Sequence, residues 1–327
     1  MIPADQIEND SDLEITVTTT DRDEWKRLDQ FLAAKLTQFS RSTIKRIFDD
    51  EQITSESTSL SLNKMPPAGT IITIEVPPPI PSELTPENIP LDILFEDPHL
   101  IIINKPAGLV VHPAPGHYTG TLVNAILYHC PDLKGIGAEK RPGIVHRLDM
   151  GTSGVMVVAK DQKTHEGLVA LFSVHDIERK YEALVWGVPK ILNGTITSTL
   201  GRHPTNRLKM APNVTNGKKA VTHYKVLTSF GHASHIEFKL ETGRTHQIRV
   251  HASALLHCPI MRDIVYGNGD SGLRKMEEAT AAKLREYPYQ LLHAKELGFI
   301  HPITGASLFF SAPPPQIFID ALNSFSE

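Results

Sequence analysis

The sequence predicts an α+β protein: a large domain built on a mixed, largely antiparallel sheet, preceded by a small domain of helices and a hairpin. Two observations carry this. β-type runs recur through the second two thirds of the chain without the regular strand–helix alternation of a parallel α/β fold. Six prolines between Pro77 and Pro90, with no apolar periodicity at the end of that stretch, mark a semi-rigid linker and a domain boundary.

The elements follow in order. Residues 1–25 are acidic and read as a disordered tail. In residues 26–76, Leu28, Phe31, Leu32 and Leu36 recur at helical spacing. Ser40 is placed to cap a second helix, whose Ile44, Ile47 and Phe48 form an apolar stripe with Arg41, Lys45 and Arg46 mostly away from it. Pro66–Gly69 makes a turn and Ile71–Val76 a strand. In residues 91–327, strands are expected at Leu100–Ile103, Val155–Ala159, Tyr181–Trp186, Thr222–Leu227, His235–Leu240 and Ser307–Phe310. Helices are expected at Leu122–Tyr128 after a Thr121 cap, at Asp161–Phe172 and at Thr245–Leu256.

Bulk properties exclude several classes. The chain has 327 residues, 40% of them hydrophobic and 21% charged, as in a globular protein. Cys130 and Cys258 give neither a disulfide framework nor metal-ligand spacing. No apolar run is long enough to span a membrane and the start lacks a basic-then-apolar signal, so a cytoplasmic location is expected. The net charge of −4 does not advertise nucleic-acid binding, but residues 1–26 hold eight acidic groups against two basic ones, leaving the remainder at +2.

Four segments carry candidate chemistry. Asn104–Pro113 is a tight turn after a strand, bracketed by Lys105 and His112. Arg141-Pro142-Gly143-Ile144-Val145-His146-Arg147-Leu148-Asp149 puts a carboxylate beside the strand at Val155–Ala159, where a fixed backbone suits a nucleophile. Alone, such an Asp is more often a turn or cap residue. Tyr181 shares a strand face with Ala183 and Val185, ordinarily a core position. In Leu240–His251, Gly243 turns a strand into a helix and leaves Arg244 near the helix start, an awkward place for a cation unless a buried carboxylate pairs with it. His246 and His251 do not share a helix face and lack an acidic third ligand, so no metal is expected.

Taken together, in chain order, these segments resemble the RluA/RluD-type RNA pseudouridine synthases over about residues 92–316. The string Arg-Pro-Gly-Ile-Val-His-Arg-Leu-Asp followed by Thr-Ser-Gly is the most specific part, with Met150-Gly151 as a mild departure. Gly201-Arg202-His203-Pro204 with Arg207-Leu208-Lys209-Met210 looks most like the RluD branch, which modifies large-subunit ribosomal RNA. The likeness is weakest at 257–267, where Arg262 replaces the usual Gly before Asp263. Residues 26–76 resemble the alpha-L RNA-binding domain, although a Ser/Thr-rich stretch, Thr54–Ser61, replaces its usual Val-Asn-Gly turn.

The resemblance implies isomerisation of uridine to pseudouridine in RNA, with no cofactor. It makes Asp149 the nucleophile, Tyr181 the residue packed on the target uracil and Arg244 the ion-pair partner of Asp149. Arg147, beside the nucleophile, would fill the space left by a flipped base, with His146 as a further substrate contact. Arg41, Lys45, Arg202 and Arg207 would meet phosphates. The expected partner is ribosomal RNA or a pre-ribosomal particle, and the expected state a monomer. Two other classes stay open: a catalytically idle RNA-binding or ribosome-assembly protein, and a glycoside hydrolase, which would need a second carboxylate beside Asp149.

Overall fold

Alternation of β-branched residues settles the start of the chain. In Leu13–Thr18, Ile15 and Val17 turn inward while Thr16 and Thr18 stay exposed. That strand pairs antiparallel with Ile71–Val76, Leu13 opposite Val76 and Thr18 opposite Ile71. The acidic segment is therefore not wholly a disordered tail: the apolar alternation outweighs the surrounding acidic residues. The computed structural model describes residues 13–19, 25–37, 39–49, 51–76, 84–114, 117–133, 136–138, 141–206, 209–267, 269 and 271–325, and divides into two units, Met1–Ser82 and Glu83–Glu327.

In the first unit, helices Leu28–Lys35 and Arg41–Asp49 pack beside a three-stranded sheet in which Ile71–Val76 lies between Leu13–Thr18 and Ile53–Thr54. The expected stripes form the core: Leu28, Phe31, Leu32, Leu36, Ile44 and Ile47 are buried against Ile72 and Ile74. Ser40 caps the second helix, its Oγ accepting from the Thr43 N–H at 3.1 Å.

The linker straddles the boundary between the units. Residues 77–83 lie outside the described ones; 84–90 belong to the second unit and are pinned to it. The Asn124 side chain donates to the Thr85 carbonyl at 2.7 Å, and the Glu87 N–H donates to the Asn124 carbonyl at 2.9 Å. Residues 84–90 are thus part of the second unit and not a free spacer.

The second unit is built on a ten-stranded sheet. Its strands run in the order Met210–Pro212, Asn193–Arg202, Lys218–Ser229, Ala233–Leu240, Glu178–Trp186, Leu292–Ile300, Ser153–Ala159, Leu100–Lys105 and Ile93–Glu96, with Ser307–Ser311 also paired to Leu292–Ile300. The one parallel pair joins Leu292–Ile300 to Ser153–Ala159; the rest are antiparallel, so the α+β class and the mixed sheet hold. All six expected strands lie within observed ones. Ile93–Glu96, Asn193–Arg202, Met210–Pro212 and Leu292–Ile300 lie outside the expected strands; the Asn193–Arg202 strand alternates exposed and buried residues through a run rich in Thr.

The centre of this sheet is covered on both sides. Alternate residues of Ser153–Ala159 enter two cores, Met156 and Val158 in one, Val155, Val157 and Ala159 in the other. Helix Leu122–His129, capped by Thr121, fills the first; helix Gln162–Ser173, capped by Asp161, places Leu168 in the second. The expected helix Thr245–Leu256 is instead one short α-turn, Gln247–Val250, continued by a π-helical turn, His251–Leu255. π-turns often mark functional sites.

Gly154 stands where the parallel pair is tightest. Its φ of +118° suits only glycine, and a Cβ there would overlap the backbone of Ala294. Gly154→Ala should therefore destabilise the protein by about 3 kcal/mol or more. Urea denaturation would measure it, and a loss under about 1 kcal/mol would show that this approach is not tight.

Candidate active site

Asp149 sits in a turn locked from two sides. The Thr152 N–H donates to the Asp149 carbonyl at 3.0 Å, immediately before the fixed strand Ser153–Ala159. Across from it, the turn of Asn104–Pro113 donates the Gly108 N–H to the Met150 carbonyl at 2.8 Å. Lys105, 1% exposed, clamps both turns: its Nζ donates to the carbonyls of Pro106 at 2.7 Å, Leu109 at 2.9 Å and Met150 at 3.2 Å. Burial pulls this ammonium down to about 7, while the Asp149 charge opposes the shift. Three acceptors need three N–H donors, which only the charged form has.

The Asp149 carboxylate pairs with Arg249, not with Arg244. The Arg249 Nη1 donates to Asp149 Oδ2 at 3.0 Å. Its Nε and Nη2 fork onto Asp263, at 2.7 and 2.8 Å. Burial works against the Arg249 charge, but the two carboxylates outweigh it and raise its pKa. Burial would raise Asp263; the guanidinium and the N–H groups of Tyr266 and Val265 outweigh that and hold it ionised. Arg244 instead donates its Nε to the Lys219 carbonyl at 3.1 Å. The correction has a local cause. Gln247 accepts from the Arg244 N–H and the Thr242 hydroxyl, and donates to Val221 and Thr222, so the chain turns at 244 and only the following helical turn faces Asp149. A signal was present: Arg249 lies between Ile248 and Val250, and a cation inside a buried apolar run needs a partner.

Arg262 makes the same turn system possible. Its φ of 61° is left-handed, which accounts for the glycine usual at that place, and its Nε donates to the Tyr287 carbonyl at 2.9 Å.

Around Asp149 opens a cavity of about 580 Å³, lined among others by His112, Arg147, Arg179, Tyr181, Arg244 and His246. Tyr181 is 8% exposed, and burial, with the Asp149 charge, pushes its phenol up despite Arg179. It therefore offers a ring face and a protonated hydroxyl at neutral pH. His146 also lines the cavity, but its Nε2 accepts from the Val157 N–H at 3.1 Å and its ring stacks on Phe172. Burial and Arg179 push it down to about 3, so it stays neutral and positions the loop before Asp149. Arg147 is exposed, its Nη1 3.5 Å from His112 Nε2. Arg179, Asp263 and Tyr266 belong to this site or its support and were not expected there. Arg179 is held over Phe172, its Nη2 donating to the Glu241 carbonyl at 2.6 Å.

The outlying cations are less available than the sequence implies. Arg41 pairs with Asp29 at 2.6 Å, and Asp29 also takes Arg27. Hydrogen bonding from Arg27, joined by Arg41, depresses the Asp29 carboxyl far below its usual range. Lys45 lies 3.7 Å from Asp49. Arg202 is exposed at the end of the Asn193–Arg202 strand, and Arg207 lies outside the described residues. Among the described residues, Glu96, His129 and Cys130 bring three ligand atoms within 4.8 Å of one another. Lys160 already occupies Glu96 at 2.7 Å, and its charge disfavours a cation there. No helix among the described residues is long and apolar enough to cross a membrane.

The RNA pseudouridylate synthase family model matches residues 99–254. A ribosomal large subunit pseudouridine synthase D of Zymomonas mobilis is 45% identical over 92% of this chain and 94% of its own. A protein of the same name from Pseudomonas aeruginosa is 42% identical over 90% of each. Among solved structures, human RNA pseudouridylate synthase domain containing 4 aligns with 72% of this chain and 92% of its own, at 28% identity and a TM-score of 0.55.

The two arginines should separate cleanly on mutation. Arg249→Ala strands two carboxylates and should destabilise the protein by about 3–5 kcal/mol. Arg244→Ala loses one half-exposed hydrogen bond and should cost about 1 kcal/mol. Chemical denaturation of both variants checks this, and equal losses would contradict the assignment.

Proposed function

We propose, from the premise that this chain belongs to the RNA pseudouridine synthase family and isomerises uridine to pseudouridine in RNA, that its targets lie in large-subunit ribosomal RNA and that Asp149 is the nucleophile. One observation carries the assignment of Asp149. Its Oδ2 is tied to Arg249, while the residue lines a cavity large enough for a nucleoside. Support for the target comes from relatives named for the large ribosomal subunit that align over nine tenths of this chain.

A stacked uridine cannot reach a cavity, so the target nucleotide is flipped into it. Tyr181 packs on the uracil face, and Arg147, at the exposed rim, takes the space the base vacates. Asp149 promotes loss of the base from C1′, and the base reattaches through C5. The isomerisation is redox-neutral overall and adds no water, so it calls for no cofactor. The Arg249 bridge aims the Asp149 carboxylate. Arg202 and Arg207 contact phosphates, and Met1–Ser82 acts as an RNA-binding domain through Arg41 and Lys45. The protein acts as a monomer, and a bacterial ribosomal target places it in the cytoplasm.

The glycosidase reading fares worse. A second carboxylate is present, but Asp263 is fully buried, held ionised and spent on Arg249 and two backbone N–H groups. It is neither a proton donor nor open to water. The idle-protein reading has to explain why the charged site is complete.

Two experiments test the proposal. Asp149→Asn should keep the fold and RNA binding but lose at least about 1000-fold in turnover, roughly 4 kcal/mol of barrier. Tritium release from 5-labelled uridine in large-subunit ribosomal RNA measures it, and activity within about tenfold of the parent would remove Asp149 from the mechanism. Deleting residues 1–82 should weaken RNA binding more than single-turnover rate, by a margin that shrinks as salt rises. Unchanged affinity at low salt would deny the first unit an RNA-binding role.

A further inference from the structure

Tyr266 links the far end of the site to its centre. Its hydroxyl oxygen accepts from the Met210 N–H at 2.7 Å, at the edge of the basic 201–212 hairpin. The same oxygen lies 2.8 Å from Nδ1 of His246. On the other side of that imidazole, Nε2 is 4.0 Å from Asp149 Oδ1.

These contacts fix which imidazole nitrogen carries the proton. With the proton on Nδ1, the tyrosine oxygen would accept twice and its own hydrogen would lack an acceptor among the described residues. The bare lone pair of Nε2 would then face a carboxylate. With the proton on Nε2, Tyr266 donates to Nδ1, its oxygen accepts from Met210, and the N–H of Nε2 faces the carboxylate. Burial lowers the pKa of His246, with Asp149 and Asp263 opposing and Arg249 and Arg147 adding to the shift, so the ring is neutral at pH 7. The backbone pays for the placement: His246 is left-handed, with φ 56° and ψ 20°, an unusual state for a side chain of that size.

Two of the strong donors near Asp149 are spent. Arg249 is divided between two carboxylates, and Lys105 between three carbonyls. The Nε2–H of His246 is 4.0 Å from Asp149, too far to bond with it, and it faces the same cavity.

We propose that His246 is a further catalytic residue: its Nε2–H donates to O2 of the target uracil as the glycosidic bond breaks. The inference rests on the reading of Asp149 as the group that acts on the ribose. When the C1′–N1 bond breaks, its electron pair stays with the base, and negative charge spreads from N1 to O2 and O4. Asp149 takes the ribose, by bonding C1′ or by removing the C2′ proton. When C5 bonds C1′, Asp149 either leaves C1′ or returns its proton to C2′, the C5 proton passes to water and N1 is protonated. A fixed donor at O2 stabilises the charge where it develops and needs no reorganisation. Tyr266 is a positioning residue that holds the tautomer.

The test uses the full-length protein and a large-subunit ribosomal RNA fragment with oxygen or sulfur at position 2 of one mapped target uridine. Sulfur accepts hydrogen bonds poorly, so the parent should react at least about tenfold slower on the thio substrate. His246→Ala should lose about 100-fold on the oxygen substrate and show almost no further loss with sulfur. A purely structural role would slow both substrates equally, leaving the tenfold ratio intact, and would overturn the proposal. Nitrogen-15 NMR of the parent reads the tautomer independently of any variant's folding; a proton on Nδ1 would also overturn it. Asp149→Asn runs alongside: if that variant stays active, the underlying reading fails, whereas an inactive Asp149→Asn with an unaffected His246→Ala sinks only this proposal.

Discussion

A single guanidinium shared between two carboxylates organises the site. Asp149 and Asp263 come from segments more than a hundred residues apart, and Arg249 pairs with both. The sharing is unequal. Asp263 receives two N–H groups and is fully buried, so it is the anchor; Asp149 receives one and keeps an oxygen for chemistry. Arg249 can hold this position because Gln247 has already fixed the turn before it and because Ile248 and Val250 are packed on either side.

Much of this was legible in the sequence, and what was missed has physical causes. The strands that bury both faces announced themselves as apolar runs, and Thr121 announced its helix by capping chemistry. Asn193–Arg202 was missed because its threonines and serines hide a period of two. Leu13–Thr18 was missed because acidic composition masked a short β-branched run. At the site, the position of Asp149 was readable from a long motif beside a strand. Its partner was not, since choosing between Arg244 and Arg249 requires the exit angle of the Gly243 turn. Asp263 and Tyr266 lie where the family likeness is weakest, and only the fold brings them to the site.

The site is rigid for a polar reason. Lys105, Gln247 and Arg249 are buried polar side chains with several partners each, and each ties together segments distant in the chain. Such networks stabilise weakly but tolerate one arrangement only, because a half-satisfied member is costly. Side chains that must stand a few ångströms apart need that intolerance more than they need extra stability.

The position of Leu292–Ile300 has a consequence for how the protein is made. This strand comes late in the chain yet lies between Glu178–Trp186 and Ser153–Ala159, at the middle of the sheet. A nascent chain must therefore carry both halves of its sheet, each with an open apolar edge, until nearly all of it has been synthesised. The Met1–Ser82 unit has its own core and can be complete long before. Synthesis thus passes through a stage in which the first unit is formed and the catalytic sheet is not, and that interval is when the protein is most exposed to aggregation through unpaired strands.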